Sequence, residues 1–549
     1  MNPDANAAPR AANNDPREAP AGRDGRGEPG IDRTLGLRAL VVGFGTLVSR
    51  VSGLFREMIM AALYTRMETD AFFVAFRIPN GLRQLLAEGA VSAAVVPVLS
   101  GTLATEGEEA AQKFFAQVRG LSLLVLAAVC VAGVLGAEPL TELFAPGHHG
   151  SPGRFELTVS MTRWLFPYIF FMGSAALGAA ALQAHHEFAL ISLAPVLLNV
   201  AMVGFALAGP SLAGPLRIER VHVLALGALV GGALQLLVQW PALRRLGYLA
   251  MPSLNFKSTR VREVLRRIAP MALGLGIYQI DLVLSTRFLA ASETGAQCYF
   301  LWASRLCDVP QGIFGLALST AALPTLSALF AKGEFVELRR TTSLALRMTL
   351  FVAIPSSVYT ATFALPVVQL FFQRGAFDAH ASVQTARSFV WQGAAIVFVA
   401  CVRPLVASFH AMGRTALPVA VSALDLLVFI GLAAGLTPHY GHVGVSVAVA
   451  GSAAVQAVLL FAALLRTEAS PDVRLVGFSA LKILAASVAA AVVSWFAFRS
   501  SAPWVQVLGS TVLFAILFPM GAGALRSPEL LSLSSSLARR LRPCASRGA

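Results

Sequence analysis

Arg50, Arg56, Arg77, Arg83, Asp70 and Glu88 stand within residues 46–90, TLVSRVSGLFREMIMAALYTRMETDAFFVAFRIPNGLRQLLAEGA, a stretch that otherwise has the apolar density of two membrane spans. A charged side chain at the centre of a bilayer costs roughly 2.5 to 3.5 kcal/mol, so such residues face a watery cavity or a partner. Arg305, followed by Asp308, lies in a later apolar run. Left facing lipid, Arg50, Arg56, Arg83 and Arg305 together would cost on the order of 10 kcal/mol or more, comparable with the stability of a whole domain. A shared polar cavity for an anionic substrate removes that cost. Guanidinium groups suit phosphate oxygens there, because they offer planar bidentate hydrogen bonds and a charge that does not titrate. For any single arginine the alternative is local: snorkelling at a span end, or an ion pair with Glu57, Asp70 or Glu88.

Asp281 and Asp425 stand inside apolar runs of the second half. Carboxylates combined with hydroxyl or carbonyl oxygens can hold a hard monovalent cation. Local pairing, as of Asp281 with Arg287, or protonation is the plain alternative. His148 and His149, and His185 and His186 with Glu187, sit in short loops without converging third and fourth ligands, so neither group reads as a metal site. The five cysteines, Cys130, Cys298, Cys307, Cys401 and Cys544, are scattered and carry no disulfide or zinc spacing. No resident cofactor is expected.

The elements that must position these groups follow from composition. With 549 residues, 56% hydrophobic and 13% charged, and a mean hydropathy of +0.69, the chain reads as an all-α polytopic membrane protein. The apolar runs are too long for barrel strands. They number about fourteen: 36–63, 70–100, 119–145, 157–184, 188–209, 221–243, 268–290, 297–330, 342–372, 386–412, 415–437, 441–465, 476–498 and 503–525. Residues 1–33, without an apolar core, read as a disordered cytoplasmic tail and 527–549 as a second cytoplasmic tail. With both termini inside, about 28 of the 43 Lys and Arg fall in tails and inner loops, as the positive-inside rule requires. The net charge of +14 is then a topology signal and not a nucleic-acid footprint.

A basic linker, 246–267, separates spans one to six (34–245) from spans seven to twelve (268–467), with a further pair in 468–526. Internal repetition supports the division. His222-Val223, Gly231 and Gln235 of span six recur as His442-Val443, Gly451 and Gln456 of span twelve. Pro79 and Gly81 of span two recur as Pro310 and Gly312 of span eight. His186 then Pro195 recurs as His410 then Pro418. A six-span offset gives two lobes of the same membrane orientation, with a substrate site between them.

The segment TDAFFVAFRIPNGLRQLLAEGA (69–90), preceded by SRVSGLFRE (49–57), resembles the signature of the MurJ/MviN family, the lipid II flippases of bacterial peptidoglycan synthesis. The resemblance implies the multidrug/oligosaccharidyl-lipid/polysaccharide exporter fold: two six-helix lobes around a central cavity plus two extra C-terminal helices forming a groove for a lipid tail. It implies diphosphate-binding roles for Arg50, Arg56, Arg83 and Arg305, and substrate-site acids at Asp70, Glu88 and Asp308. Arg77 and Arg403 match basic positions with less defined roles. In some members sodium is bound between spans seven, eleven and twelve, which points to Asp281 and Asp425. Residues 408–417 depart from the family pattern. The expected partners are lipid II, membrane lipids and cell-wall synthesis proteins, with no nucleic acid, in the bacterial inner membrane.

Three other functions compete. An exporter of another polyprenyl-linked oligosaccharide or of drugs would use the same fold, but the 69–90 motif argues against it. A membrane enzyme acting on polyprenyl phosphates needs a carboxylate or histidine constellation with a metal, which the sequence does not offer. A non-transporting scaffold has no need of arginines in mid-span.

Overall fold

The computed structural model describes residues 29–84, 90–254 and 258–530. Glu88, Cys544, residues 1–28 and those after 530 lie outside the described residues. The first half comprises α1 (Pro29–Leu63), α2 (Arg66–Arg83), α3 (Ala90–Glu106), α4 (Glu108–Leu135), α5 (Ala137–Phe144), α6 (Arg154–Leu165), α7 (Tyr168–Ala184), α8 (Ala189–Leu216) and α9 (Arg220–Arg245). The second half comprises α10 (Thr259–Ala290), α11 (Ala296–Ala331), α12 (Phe335–Phe372), α13 (Ala379–Ala411), α14 (Ala416–Tyr440), α15 (His442–Leu464), α16 (Val473–Phe498) and α17 (Pro503–Ala524). Helix α1 starts at Pro29, ahead of the expected boundary at residue 33.

Among the described residues, ten helical rods are long and apolar enough to cross a membrane, counting α6 and α7 as one. Four further rods, α1, α2 with α3, α10 and α11, carry Arg50, Arg56, Asp70, Arg77, Arg83, Asp281, Arg305 and Asp308. The arrangement is compatible with fourteen crossings. The expected second span is not one helix, for α2 ends at Arg83 and α3 resumes at Ala90. Its repeat partner α11 runs unbroken through Pro310 and Pro324.

Local chemistry sets the helix ends that matter here. Thr65 caps α2 in a reciprocal box: its hydroxyl accepts from the Glu68 N–H, and the Glu68 carboxylate accepts from the Thr65 N–H at 2.7 Å. In α12, Pro366 lacks an N–H, and the helix bends at Phe363, which has non-helical angles.

The helices sort into two lobes. In one, α8 packs on α1 and α9, α7 on α9, and α2 on α6; in the other, α13 packs on α11, α12 and α15, and α14 on α15. The pair α16–α17 packs on α12, outside both lobes. Helix α10 bridges them, packing along α3 as well as against α14 and α15. The internal repeat has a physical counterpart. His222, in the first turn of α9, bonds Ser160 of α6 at 2.8 Å, and His442, in the first turn of α15, bonds Ser388 of α13 at 2.7 Å. Each histidine thereby ties the last helix of its lobe to the fourth span of that lobe.

The lobes touch through an aromatic cluster in which Phe73 of α2 meets Trp302 of α11 edge-on, and Trp302 packs on Phe372 and Phe377. Beside it the chain turns at Gly375, whose φ of +58° and 2.2 Å approach of a notional Cβ to the Ala62 carbonyl leave room only for glycine. The Ala376 N–H donates to that same carbonyl at 2.8 Å.

Candidate functional site: an arginine-walled cavity between the lobes

A cavity of about 320 Å³ opens between α1 and α2 of one lobe and α11 of the other. On α2 and its C-cap the wall is Phe72, Phe73, Phe76, Arg77, Asn80 and Gln84, and on α11 it is Gln297, Phe300, Leu301, Ser304, Arg305 and Asp308. Each set recurs at three- and four-residue steps, so each is one face of its helix. Arg56, Glu57 and Met60 supply the α1 wall.

The arginines converge through mutual partners. Arg56 donates to Glu57 Oε1 at 2.5 Å and to Asn199 Oδ1 at 3.0 Å, and Asn199 in turn donates to the Ser49 carbonyl and Ser52 Oγ. Glu57, 1% exposed, also lies 4.0 Å from Arg305 Nε, so one buried carboxylate stands between arginines of opposite lobes. Arg305 reaches Asp308 at 3.4 Å, and Arg50 donates to the Asp308 carbonyl at 3.1 Å. Arg83 bonds Asn80 Oδ1 at 3.0 Å, one turn back on α2. Three guanidinium groups, Arg56, Arg77 and Arg305, thus line the cavity with two carboxylates, Glu57 and Asp308, while Arg50 and Arg83 hold on to its wall through Asp308 and Asn80. The surplus is positive, and it suits a multiply charged anion bearing phosphate oxygens. Arg403 lies elsewhere, in a narrow groove with Pro310 and Met348.

Asp70 does not line this cavity. It is fully buried one turn closer to the start of α2, ion-paired with Arg154 of α6 at 2.6 Å. The same carboxylate accepts the Gly295 N–H at 2.7 Å and the Cys298 N–H at 3.1 Å. These are donors at the N-terminus of α11, where an anion is favoured by unsatisfied amides and by the helix dipole. Gly295 reaches that position with φ +103°, open to glycine at no steric cost. Asp70 is therefore a clasp between the lobes, correcting its expected place in the substrate wall. Arg66 and Asp378 form a second, exposed interlobe ion pair beside it. Burial raises the Asp378 carboxyl, but the Ala381 N–H and the Arg66 guanidinium outweigh it and hold the group below the usual carboxylate range.

In the second lobe, Asp281 lies within electrostatic reach of Arg77 and Asp425, and Asp425 lies beside Ser452 of α15. One oxygen of Asp425 is buried without a partner. Arg287, the alternative partner for Asp281, instead donates to the Leu143 carbonyl at 3.1 Å. The loop histidines have ordinary partners: His148 bonds Thr158 at 2.8 Å, His149 bonds Glu142 at 2.8 Å, and His185 bonds Tyr248 at 2.9 Å. Burial, then the charges of Arg154 and His149, press His148 down to about 3. Cys298 and Cys307 are buried, while Cys130 and Cys401 are partly so.

Sequence reasoning treated Glu57 only as a pairing option and missed Asn199 and Arg154. Glu57 was signalled by its adjacency to Arg56, and Asn199 by being a lone amide in an apolar run. Nothing local marks Arg154 as the partner of a residue 84 positions away.

Two lobes, an extra helix pair and a cationic cavity between them define a polytopic membrane transporter of the two-lobe exporter class. A profile of the family described as lipid II flippase MurJ matches residues 59–515. The lipid II flippase MurJ of Burkholderia cenocepacia is 33% identical over 431 residues, covering 77% of this chain and 83% of the relative. A probable lipid II flippase MurJ of Rhizobium meliloti is 30% identical over 506 residues, covering 88% and 94%. The chain belongs to the lipid II flippase MurJ family. Its fold matches a lipid II flippase MurJ in an inward closed conformation with a TM-score of 0.74, at 22% identity over 88% of this chain and 99% of the other. It also matches an inward-facing multidrug resistance MATE family transporter with a TM-score of 0.63, at 16% identity over 75% and 93%.

Proposed function

We propose that this chain moves lipid II, an undecaprenyl-diphosphate-linked disaccharide pentapeptide, from the inner to the outer leaflet of the bacterial cytoplasmic membrane by alternating access. The observation that supports the reading is that Arg56 and Arg305, from opposite lobes, line one cavity, with Arg50 and Arg83 bonded to its wall residues Asp308 and Asn80. These arginines, with Asp308 fixing Arg50 and Arg305, hold the diphosphate while the polyprenyl tail stays in lipid. No bond of the substrate is made or broken. At about 320 Å³ the cavity is at the small end of ligand sites, roughly 300–1,000 Å³. It accommodates a diphosphate and part of the sugar, and the complete headgroup requires the lobes to part. With both termini cytoplasmic, the Asp70 clasp, the Arg66–Asp378 pair and the Gly375 turn lie at the outer end, and their release opens the cavity outward. Asp281, Asp425 and Ser452 are the proposed site of a coupling sodium ion. The test is replacement of the native flippase in a depleted cell, with lipid II accessibility at the outer leaflet as the readout. The wild-type chain restores it and Arg305→Ala does not; failure of the wild type to restore it overturns the proposal. The topology is checked separately by single cysteines at positions 150 and 260, which must label from opposite sides.

A further inference from the structure

Gln297 differs from its polar neighbours in the cavity wall. Asn80 accepts from Arg83, and Ser304 donates to the Phe300 carbonyl and to Gln392. The Gln297 side chain is fully buried, yet neither its amide oxygen nor its amide nitrogen has a hydrogen-bond partner. A buried group left in that condition destabilises the fold, so its retention calls for an explanation outside the resting contacts. Its place supplies one. Gln297 is on the cavity stripe of α11 with Leu301, Ser304 and Asp308, two residues past Gly295 of the clasp. It precedes Arg305 by eight residues, about 12 Å of helix at 1.5 Å per residue. Arg305 lies further along this stripe, and Gln297, with Phe72 and Phe73 of α2, is on the part of the wall nearest the Asp70 clasp in sequence.

We propose that Gln297 is the amide-reading position of the headgroup site, engaging the part of the substrate beyond the diphosphate. This rests on the flippase reading above. A diphosphate carries only acceptors at physiological pH and satisfies the nitrogen alone. A carboxamide is fully satisfied when its nitrogen donates to an amide carbonyl and its oxygen accepts an amide N–H. Amide groups of that kind are carried by the acetamido substituents of the sugars and by the peptide. Rotation about the side-chain torsions presents the amide to the cavity as the headgroup enters, and the neighbouring phenyl rings take the apolar face of a sugar. The residue is then unsatisfied only in the empty protein.

The test uses the full-length protein in detergent and three probes titrated by native mass spectrometry: undecaprenyl diphosphate, the same lipid carrying the disaccharide without peptide, and complete lipid II. Gln297→Leu and Gln297→Met are compared with wild type and with Arg305→Ala. Both Gln297 variants are expected to bind undecaprenyl diphosphate as wild type does and to bind complete lipid II about tenfold more weakly. The same loss on the peptide-free lipid assigns the contact to the acetamido groups; loss on complete lipid II alone assigns it to the peptide. Both variants should also melt at a higher temperature than wild type when empty, since an unsatisfied buried amide has been removed. Unchanged lipid II binding in both variants, equal loss on all three probes, or a lower melting temperature in both overturns the inference. If Arg305→Ala weakens all three probes while the Gln297 variants change nothing, the inference fails and the flippase reading stands. If wild type binds none of them, both fail.

Discussion

Arg56→Ala should damage this protein in two separable ways. Arg56 is 12% exposed and shares its guanidinium between Glu57 at 2.5 Å and Asn199 at 3.0 Å. Truncation leaves the Glu57 carboxylate, 1% exposed and with one oxygen already unpartnered, facing only Arg305 at 4.0 Å. Orphaning a buried charge in this way costs about 3–5 kcal/mol in a dry interior. The adjoining cavity admits water and lowers that toward the 1–3 kcal/mol of an unsatisfied buried group. A loss of about 3 kcal/mol is expected in equilibrium unfolding from detergent micelles. Arg305→Ala, at a site 46% exposed, should cost less than about 1 kcal/mol. Adding Glu57→Gln to Arg56→Ala removes the orphaned charge and should recover most of the lost stability, a positive coupling in a double-mutant cycle. Flipping should stay absent in the double variant, because the guanidinium proposed to bind the phosphate is still missing. An Arg56→Ala protein as stable as wild type, or a double variant no more stable than Arg56→Ala alone, would refute the buried-pair argument. Recovery of outer-leaflet lipid II in the double variant would refute the phosphate role.

Arg50→Ala and Arg305→Ala should accumulate to normal abundance and fail to support flipping, with lysine rescuing only in part because it keeps the charge without the fork; full activity of both alanine variants in the depleted-cell assay would count against the diphosphate site. Asp70→Asn should leave Arg154 buried without a counter-charge and loosen the clasp, which a bifunctional thiol reagent spanning cysteines at 66 and 378 would register as a lower cross-linking yield. His148, pressed from 6.5 to about 3, takes up its proton in the unfolded chain first, so its contribution to stability is complete above pH 6.5 and is lost as the pH falls toward 3; His148→Gln should flatten the acid limb of thermal stability over that window, and an unchanged limb would show that the ring is not shielded. Asp281→Asn and Asp425→Asn should each abolish any sodium dependence of transport while leaving headgroup binding largely intact, and an unchanged sodium response in both would remove the proposed ion site.

The sequence by itself determined the class of structure. A bilayer demands about 20 consecutive apolar residues per crossing, and that demand is written into single continuous segments with no help from neighbours. It also marked Arg50, Arg56, Arg83 and Arg305 as a set, since the cost of charge in lipid applies to each residue wherever its helix packs. The repeat was legible for the same reason: His222 and His442 each open a helix, and their matching serine bonds follow from equivalent positions. The tertiary structure alone decided which charges share a site. Asp70 and Arg77 are seven residues apart on α2, yet Asp70 clasps α6 and the start of α11 while Arg77 lines the cavity. Seven residues make nearly two turns, so the two lie on similar faces, and what separates them is height along the helix. That height is set against partners 84 and 225 residues away. The burial of Glu57 and the unsatisfied amide of Gln297 were hidden for the same reason. A side chain's partners across a lobe interface depend on the rotation and relative height of two helices, and no local pattern of residues encodes either.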